Sequence, residues 1–389
     1  MSPDYVIVSF SHTRWDDPMW RNRHQVLTRL ARFHPVIWVE APTHWRKAFR
    51  PKKKPQPTGL CKVGENLYVW RPPRWLPTMY RRGFVARFLE RTRFALLRRA
   101  ARRLAKDAFV YVWDAELARY TRAFPKARVA YHVYDEKDLY LHHSPEETAF
   151  FRASEATLLK KADVVFAVSE PIRRKRTGRS ANVVLMPNGV SEEFLADDPG
   201  PAPDDVASVP RPRIGYVGGL NPKVDFELLT SIARKRPDWN IVVVGPLNAK
   251  PEGDFARDLA EFDAQPNTRR FGFCPRKDLP RCMRALDVGL LCYRTDTWAK
   301  SCSPLKLYEF YGQGVPLVSP DIEAVQDISP PLRIARTADE WVRAIEETLR
   351  ADPPEQAAAR RRAAAENTWE ERVSRIREEL DSLFVASEH

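Results

Sequence analysis

Residues Tyr5–Phe10 read YVIVSF, an unbroken apolar, β-branched run of the kind a strand carries when both its faces are covered. A polar stretch follows, then helical periodicity around HQVLTRLARF, then a second apolar run at 36–40 (VIWVE). Strand, helix and strand with short links predict a βαβ unit and hence a parallel sheet. Further strand candidates fall at 110–113, 128–133, 164–168 and 183–186. Residues 196–212 (ADDPGPAPDDVASVPRP) hold five prolines and no apolar period, which predicts an exposed linker. A second series then begins, with strands at 214–217, at 241–244, near Phe271 and at 288–292, and helices around DFELLTSIARKR and DLPRCMRAL. It closes with SPLKLYEFYGQGVP, a helix breaking at Gly-x-Gly-x-Pro, and a short strand at 317–319.

The predicted organisation is a first α/β domain over 1–195, a linker over 196–212, a second α/β domain over 213–366 and a terminal helix over 367–389. Trp369, Val373, Ile376, Leu380 and Leu383 recur at helical spacing in that last segment. The stripe either packs back onto the first domain or lies on the second alone. The fold class is α/β: two doubly wound, Rossmann-like domains facing across a cleft, with ligands expected at the carboxyl ends of both sheets.

Composition narrows the classes. The chain of 389 residues is 43% apolar, and no apolar run approaches the roughly 18 residues needed to span a bilayer. No signal peptide is apparent, since the first residues run directly into the strand-like segment. The five cysteines form no CxxC pair and the eight histidines no HExxH, which fits a reducing cytoplasm and offers no metal site. Residues 1–200 hold 37 Lys+Arg against 21 Asp+Glu, whereas the remainder holds 27 against 30, so the net charge of +13 comes entirely from the first half. That points to one basic face on one domain.

Two features carry candidate chemistry. Lys306 and Glu309 lie three apart, so they share a helical face near its N-terminus. A cation beside first-turn N–H groups suits a phosphate, and a carboxylate one turn deeper suits sugar hydroxyls. The alternative is a plain surface ion pair. Gly218-Gly219 end a predicted strand, where a missing Cβ lets backbone approach a diphosphate; the alternative is a tight strand-to-helix turn.

With these in place the chain resembles the GT-B glycosyltransferases, in particular the retaining family-4 type, over essentially its whole length. The resemblance rests on KKADVVFAVSEPIRRK followed by MPNGVSEEF, on IGYVGGLNPKVDFELL, on WNIVVVGP and on SPLKLYEFYGQGVPLVS. It implies that the second domain holds a nucleotide-sugar. Glu309 would take the ribose hydroxyls, and Lys306 the diphosphate or donor sugar, with Ser303, Pro304 and Leu305 alongside. Gly218 and Gly219 would approach the phosphates, and Phe273 and Cys274 would meet the base. Two positions depart from the family pattern. Ser301 stands where a second Glu is common, and Gly219 where an Arg is common; Lys223 either replaces that charge or is a solvated turn residue. Because expulsion of a nucleoside diphosphate needs positive charge on the leaving group, Lys306 is the leading candidate for that role.

On the acceptor side, RVAYHVYDEKDLYLHH places Asp135, Glu136 and Asp138 at the carboxyl end of a strand. Asp135 or His132 would orient or deprotonate an acceptor hydroxyl; the alternatives are a helix cap and a core histidine. Asp16, Arg21 and Arg23, in the loop after the first strand, either contact acceptor or phosphate or serve as a helix entry with solvated arginines. Residues 71–106 hold twelve Lys+Arg and one acid. Arg87, Arg91, Arg98 and Arg102 form one helical face beside a stripe of Val85, Phe88, Leu89, Leu96 and Leu104, and six more cations lie at 46–54. This suits an anionic membrane surface, and no nucleic-acid module signature accompanies it.

The resulting expectation is a glycosyltransferase, peripheral on the inner face of the cytoplasmic membrane. It would move a sugar from a UDP or GDP sugar to a lipid-linked or growing envelope saccharide, with retention and with no metal or permanently bound cofactor. The rivals are an inverting transferase using Asp135 or His132 as base, and an anionic-surface binding protein whose site has decayed.

Overall fold

The computed structural model describes residues 4–48, 56–78, 83–139, 144–295 and 299–385. The chain divides into two units. The first comprises Met1–Val168, Ile172–Pro187 and Val373–His389, and the second Ser169–Pro171 and Asn188–Arg372. Each unit holds one sheet with its own core.

In the first unit the strands are β1 (Tyr5–Phe10), β2 (Val36–Val39), β3 (Gly59–Gly64), β4 (Leu67–Arg71), β5 (Asp107–Val112), β6 (Arg128–Val133), β7 (Val164–Ala167) and β8 (Val183–Leu185). Their order is β3-β4-β2-β1-β5-β6-β7-β8, parallel throughout except for β3, which pairs antiparallel with β4 at the edge. Every residue of β1 is buried, as its two-sided apolar run requires. The terminal helix Trp369–Val385 belongs to this unit from Val373 onward. Its Asp381 accepts from Tyr5 Oη at 2.7 Å, and its Phe384 ring stacks on Tyr5 at 4.4 Å between centroids.

In the second unit β9 (Arg213–Val217), β10 (Asn240–Val244), β11 (Thr268–Phe271), β12 (Val288–Leu290), β13 (Leu317–Ser319) and β14 (Arg333–Ile334) form a wholly parallel sheet. The order β11-β10-β9-β12-β13-β14 is doubly wound and reverses between β9 and β12. The proline-rich segment is docked rather than free: Val206 and Val209 are buried in this unit's core, and the Arg213 guanidinium donates to the carbonyls of Val209 and Ala207.

The predicted stripe on the arginine-rich helix holds at Leu96 and Leu104, which pack against the core, and is corrected at its start. In the helix Phe84–Ala101 the buried face is Phe94, Leu97, Ala100 and Ala101, together with Arg93, whose guanidinium donates to the carbonyls of Leu76 and Pro77. Phe84, Val85 and Phe88 are exposed instead, alongside Arg87 and Arg91. Most of the basic run at 46–54 lies outside the described residues.

Candidate functional site

The switch point of the second sheet lies where β9 and β12 end. Gly218 follows β9 at φ +149°, and its N–H donates to Val244 O at 2.8 Å. Gly245 follows β10 at φ +152°, and a Cβ there would fall 2.0 Å from Gly218 O. Two glycines thus allow the two strand ends to cross closely. The space above Gly218 is filled by Lys306, since a Cβ at 218 would fall 2.2 Å from its Cε.

Lys306 comes from the helix Leu305–Gly312, whose N-cap is Pro304 and carries no side-chain cap. Its ammonium lies 4.9 Å from the ring centroid of Tyr216 and 6.0 Å from that of Tyr293. Burial by itself would lower the Lys306 pKa, but Tyr216, Tyr293 and Glu309 outweigh it and hold the group above the ordinary lysine value. The ammonium thus sits at the end of β9, directly above Gly218. Among the described residues it forms no ion pair with Glu309 within 4.0 Å, which removes the plain surface-pair reading.

Burial pushes the Glu309 carboxyl up to about 7, against the opposing pull of Lys306 and Arg276 and with a small push from Glu193. Arg276 pairs with Glu193 and donates to Ser191 Oγ at 2.8 Å. The two sequence motifs are tied directly. Asn188 of the PNGV turn donates from Nδ2 to Ser303 O at 2.9 Å, and Gln313 donates to Phe194 O at 2.8 Å. That fixes the start and the end of the Lys306 helix against the 188–194 segment.

The other residues expected to meet the donor are placed as follows. Phe273 is 55% exposed just beyond β11, free to present its ring. The Cys274 thiol faces Cys282, 3.2 Å between sulfurs. Ser301 O accepts from Ser169 Oγ at 2.7 Å. Lys223 is held on a turn by Asn221 Oδ1 and, through its carbonyl, by Arg294 N. Gly219 O accepts weakly from Tyr216 Oη at 3.4 Å.

In the first unit the corresponding switch point lies between β1 and β5, and a cavity of about 580 Å³ opens there. Asp16, Arg21 and Arg23 line it, as does Asp114, which sequence reasoning missed. Asp114 is 1% exposed. It accepts from His12 N at 2.8 Å, Tyr134 Oη at 2.9 Å and Lys137 Nζ at 2.5 Å, and pairs with Arg23 at 3.4 Å. Burial would raise its carboxyl, but Arg23 and Lys137 prevail and hold it well below the usual range. Arg23 in turn donates to Ser11 Oγ and Thr13 Oγ1 and lies 4.4 Å from the Tyr134 ring centroid. The signal for Asp114 was present: it directly follows the VYVW run at the carboxyl end of β5.

The structure places the four acceptor-side candidates of 132–138 away from the cavity. His132 is 1% exposed, shares a 2.8 Å hydrogen bond with Tyr111 Oη and stacks on Trp113 at 4.4 Å. Burial pushes its pKa down to about 3, so it is a core histidine and a weak base. Glu136 is buried against Arg176 and Lys175. Asp138 pairs with Lys175 and Arg152. Both carboxylates are spent on internal ion pairs. Asp135 accepts from Glu136 N at 2.9 Å and does not line the cavity.

Two doubly wound, parallel-sheet units in one chain are the architecture of the GT-B fold. Residues 226–378 match the glycosyl transferase-like family model, so the second unit carries a glycosyltransferase domain. The chain is 28% identical over 186 residues to a putative teichuronic acid biosynthesis glycosyltransferase, TuaH, of Bacillus subtilis. That match covers 46% of this chain and 46% of the relative, so the chain spans about half the length of the curated relative it matches. Among solved structures it is similar to a sucrose-phosphate synthase of Thermosynechococcus elongatus (TM-score 0.71, 14% identity, covering 99% of this chain and 100% of that one). It is also similar to an E. coli trehalose-6-phosphate protein bound with UDP-2-fluoro glucose (0.68, 14%, covering 97% and 99%). These structural likenesses establish the fold: the whole chain is GT-B.

Proposed function

We propose that this protein transfers a sugar from a nucleoside-diphosphate sugar, of UDP or GDP type, to a hydroxyl of a lipid-linked or growing envelope saccharide. The observation that carries this reading is Lys306, held over Gly218 between Tyr216 and Tyr293, with Glu309 one turn deeper. Lys306 and the uncapped helix start would stabilise the departing diphosphate, and Glu309 would hold the ribose. Among the described residues no group of three or more His, Cys, Asp or Glu is placed to hold a metal. Metal independence and retention are part of the proposal, as is an acceptor bound at the cavity beside Arg21 and Arg23. The relative named for teichuronic acid biosynthesis supports an envelope saccharide.

Calorimetry with UDP and GDP tests this reading. One of the two should bind, and Glu309→Ala should weaken it; absence of binding to both would leave only the decayed binding protein. The Glu309 carboxyl adds a pH dependence. Ribose hydroxyls donate to the ionised form, so affinity should rise between about pH 6 and 8, and Glu309→Gln should flatten that rise. The sign for stability is opposite. The folded value lies above the ordinary glutamate value, so this group's contribution is fully present below the latter and lost as pH rises through about 7.

The acceptor proposal extends to the membrane. No described helix is long and apolar enough to cross one. Phe84 and Phe88, 84% and 59% exposed, stand among Arg87 and Arg91, a pattern suited to the interface of an anionic bilayer on the cytoplasmic side. Each nearby cation contributes on the order of 1 kcal/mol. Sedimentation with phosphatidylglycerol vesicles should therefore be lost when Arg87 and Arg91 become Glu and Phe88 becomes Ser. Unchanged sedimentation would count against this face.

A further inference from the structure

A second cavity in the first unit, about 740 Å³, lies at the opposite end of the central strands from the cavity beside Arg23 and Asp114. It opens where β1, β5 and β6 begin, and these strands are six residues long, so the two cavities are separated by roughly 20 Å of strand. Its inner wall is apolar: Val6 and Ala101 are buried, and Phe124 and Phe384 close the sides. The Phe384 wall exists because the terminal helix is seated on this unit through Tyr5 and Asp381.

Its rim is cationic. Arg98, Arg102, Lys106 and Lys126 line it, and among the described residues none of them forms an ion pair. Arg98 donates to a backbone carbonyl, that of Ala123, at 2.9 Å. A fifth cation, Arg128, is already neutralised by Asp163 at 2.8 Å. Among the described residues the one acid on the rim is Asp107, which leaves a surplus of positive charge around an apolar hole. A volume of this size with apolar walls is that of a small-molecule site. Four unpaired cations at its mouth specify an anion, and the walls specify an attached hydrocarbon.

We propose that this cavity binds one phosphate-headed lipid, with the chain against Phe124 and Phe384 and the phosphate among Arg102, Lys106 and Lys126. The site is separate from the donor and acceptor chemistry and does not depend on the Phe84–Phe88 surface. It would let the protein read the presence of an individual anionic lipid.

The probe is monomeric dodecyl phosphate, titrated into the full chain by calorimetry beside inorganic phosphate and the neutral dodecyl maltoside. Dodecyl phosphate should bind, and the other two should bind far more weakly. Arg102→Glu with Lys126→Glu should weaken it by more than the roughly thirtyfold that losing two cations at their usual worth would cost, since each change also adds a negative charge. Ala127→Trp keeps every charge and fills part of the cavity from a partly exposed position, and should weaken it as well. The Arg87, Arg91 and Phe88 variant should bind dodecyl phosphate normally while failing to sediment with vesicles, which separates this site from the membrane face. Equal binding of inorganic phosphate or of dodecyl maltoside would overturn the proposal. So would unchanged binding by folded Ala127→Trp or by the double charge reversal, checked by thermal melting.

Discussion

Replacing Lys306 with methionine is expected to lower kcat about a hundred- to a thousandfold, the usual cost of removing one preorganised group from developing negative charge. The expectation follows from where the ammonium is held. Tyr216 and Tyr293 flank it and Gly218 leaves it room, so the cation is in place before any donor binds. No reorganisation is then needed as the diphosphate leaves. Methionine keeps the length and the packing against both rings, so the melting temperature should change little while turnover collapses. Arginine should not rescue: the planar guanidinium is bulkier than an ammonium, and the backbone of Gly218 lies directly beneath it. Gly218→Ala should reproduce the defect from the other side, because its Cβ would displace Lys306 and because φ +149° disfavours any side chain. Initial rates of nucleoside diphosphate release, with the donor found by a mass-spectrometric screen, measure all three. A methionine variant retaining near-normal kcat would remove Lys306 from the leaving-group role.

Why was this lysine legible in the sequence when its neighbours were not? Lys306 and Glu309 sit in a helix with a sharp glycine exit and at a spacing that puts them on one face, so their pattern differs from that of a core helix. Tyr216 and Tyr293 belong to strand ends that read as ordinary apolar runs, and only the switch between β9 and β12 turns them toward the lysine. The central strands were legible for the same reason, since β1, β9 and β10 are apolar on both faces. Strand β3 (GLCKVG) begins and ends in glycine, carries a charge and pairs with a shifted register, so neither alternation nor β-propensity marked it. His132 was ambiguous because alternation separates faces only when one face meets water, and in a covered parallel sheet both are interior. Glu136, Glu155 and Arg176 illustrate a related limit. Charged residues read as solvent-facing, yet these three are buried and pair with one another, a tertiary arrangement with no local signature. On the arginine-rich helix the packed face is built partly from Ala100 and Ala101, which a search for large apolar residues passes over, whereas Val85 and Phe88, counted in the predicted stripe, face outward.

Asp114→Ala should be the most destabilising single change at the cavity proposed for the acceptor, by about 3–5 kcal/mol, because it strands buried charge. Arg23 is 3% exposed, and its guanidinium reaches two hydroxyls and this one carboxylate. Lys137 keeps a longer contact with Glu116 at 3.4 Å, so its loss is partial, while Arg23 is left buried without a counter-charge. For a unit of this size the cost corresponds to a fall in melting temperature of roughly ten degrees. Asp114→Asn retains an acceptor for His12 N and should fall between the variant and the parent. The acid limb provides an independent check. The folded carboxyl sits below its unfolded value, so its stabilisation is present above the ordinary carboxylate range and is lost as pH falls through the folded value. The alanine variant should therefore lose less stability on acidification than the parent. Nucleotide binding to the second unit should be unaffected, whereas the KM for acceptor should rise, since Arg23 and Lys137 line the cavity that Asp114 organises. An alanine variant that melts with the parent would show that these two cations do not depend on Asp114, and the acceptor cavity would then need a different organising residue.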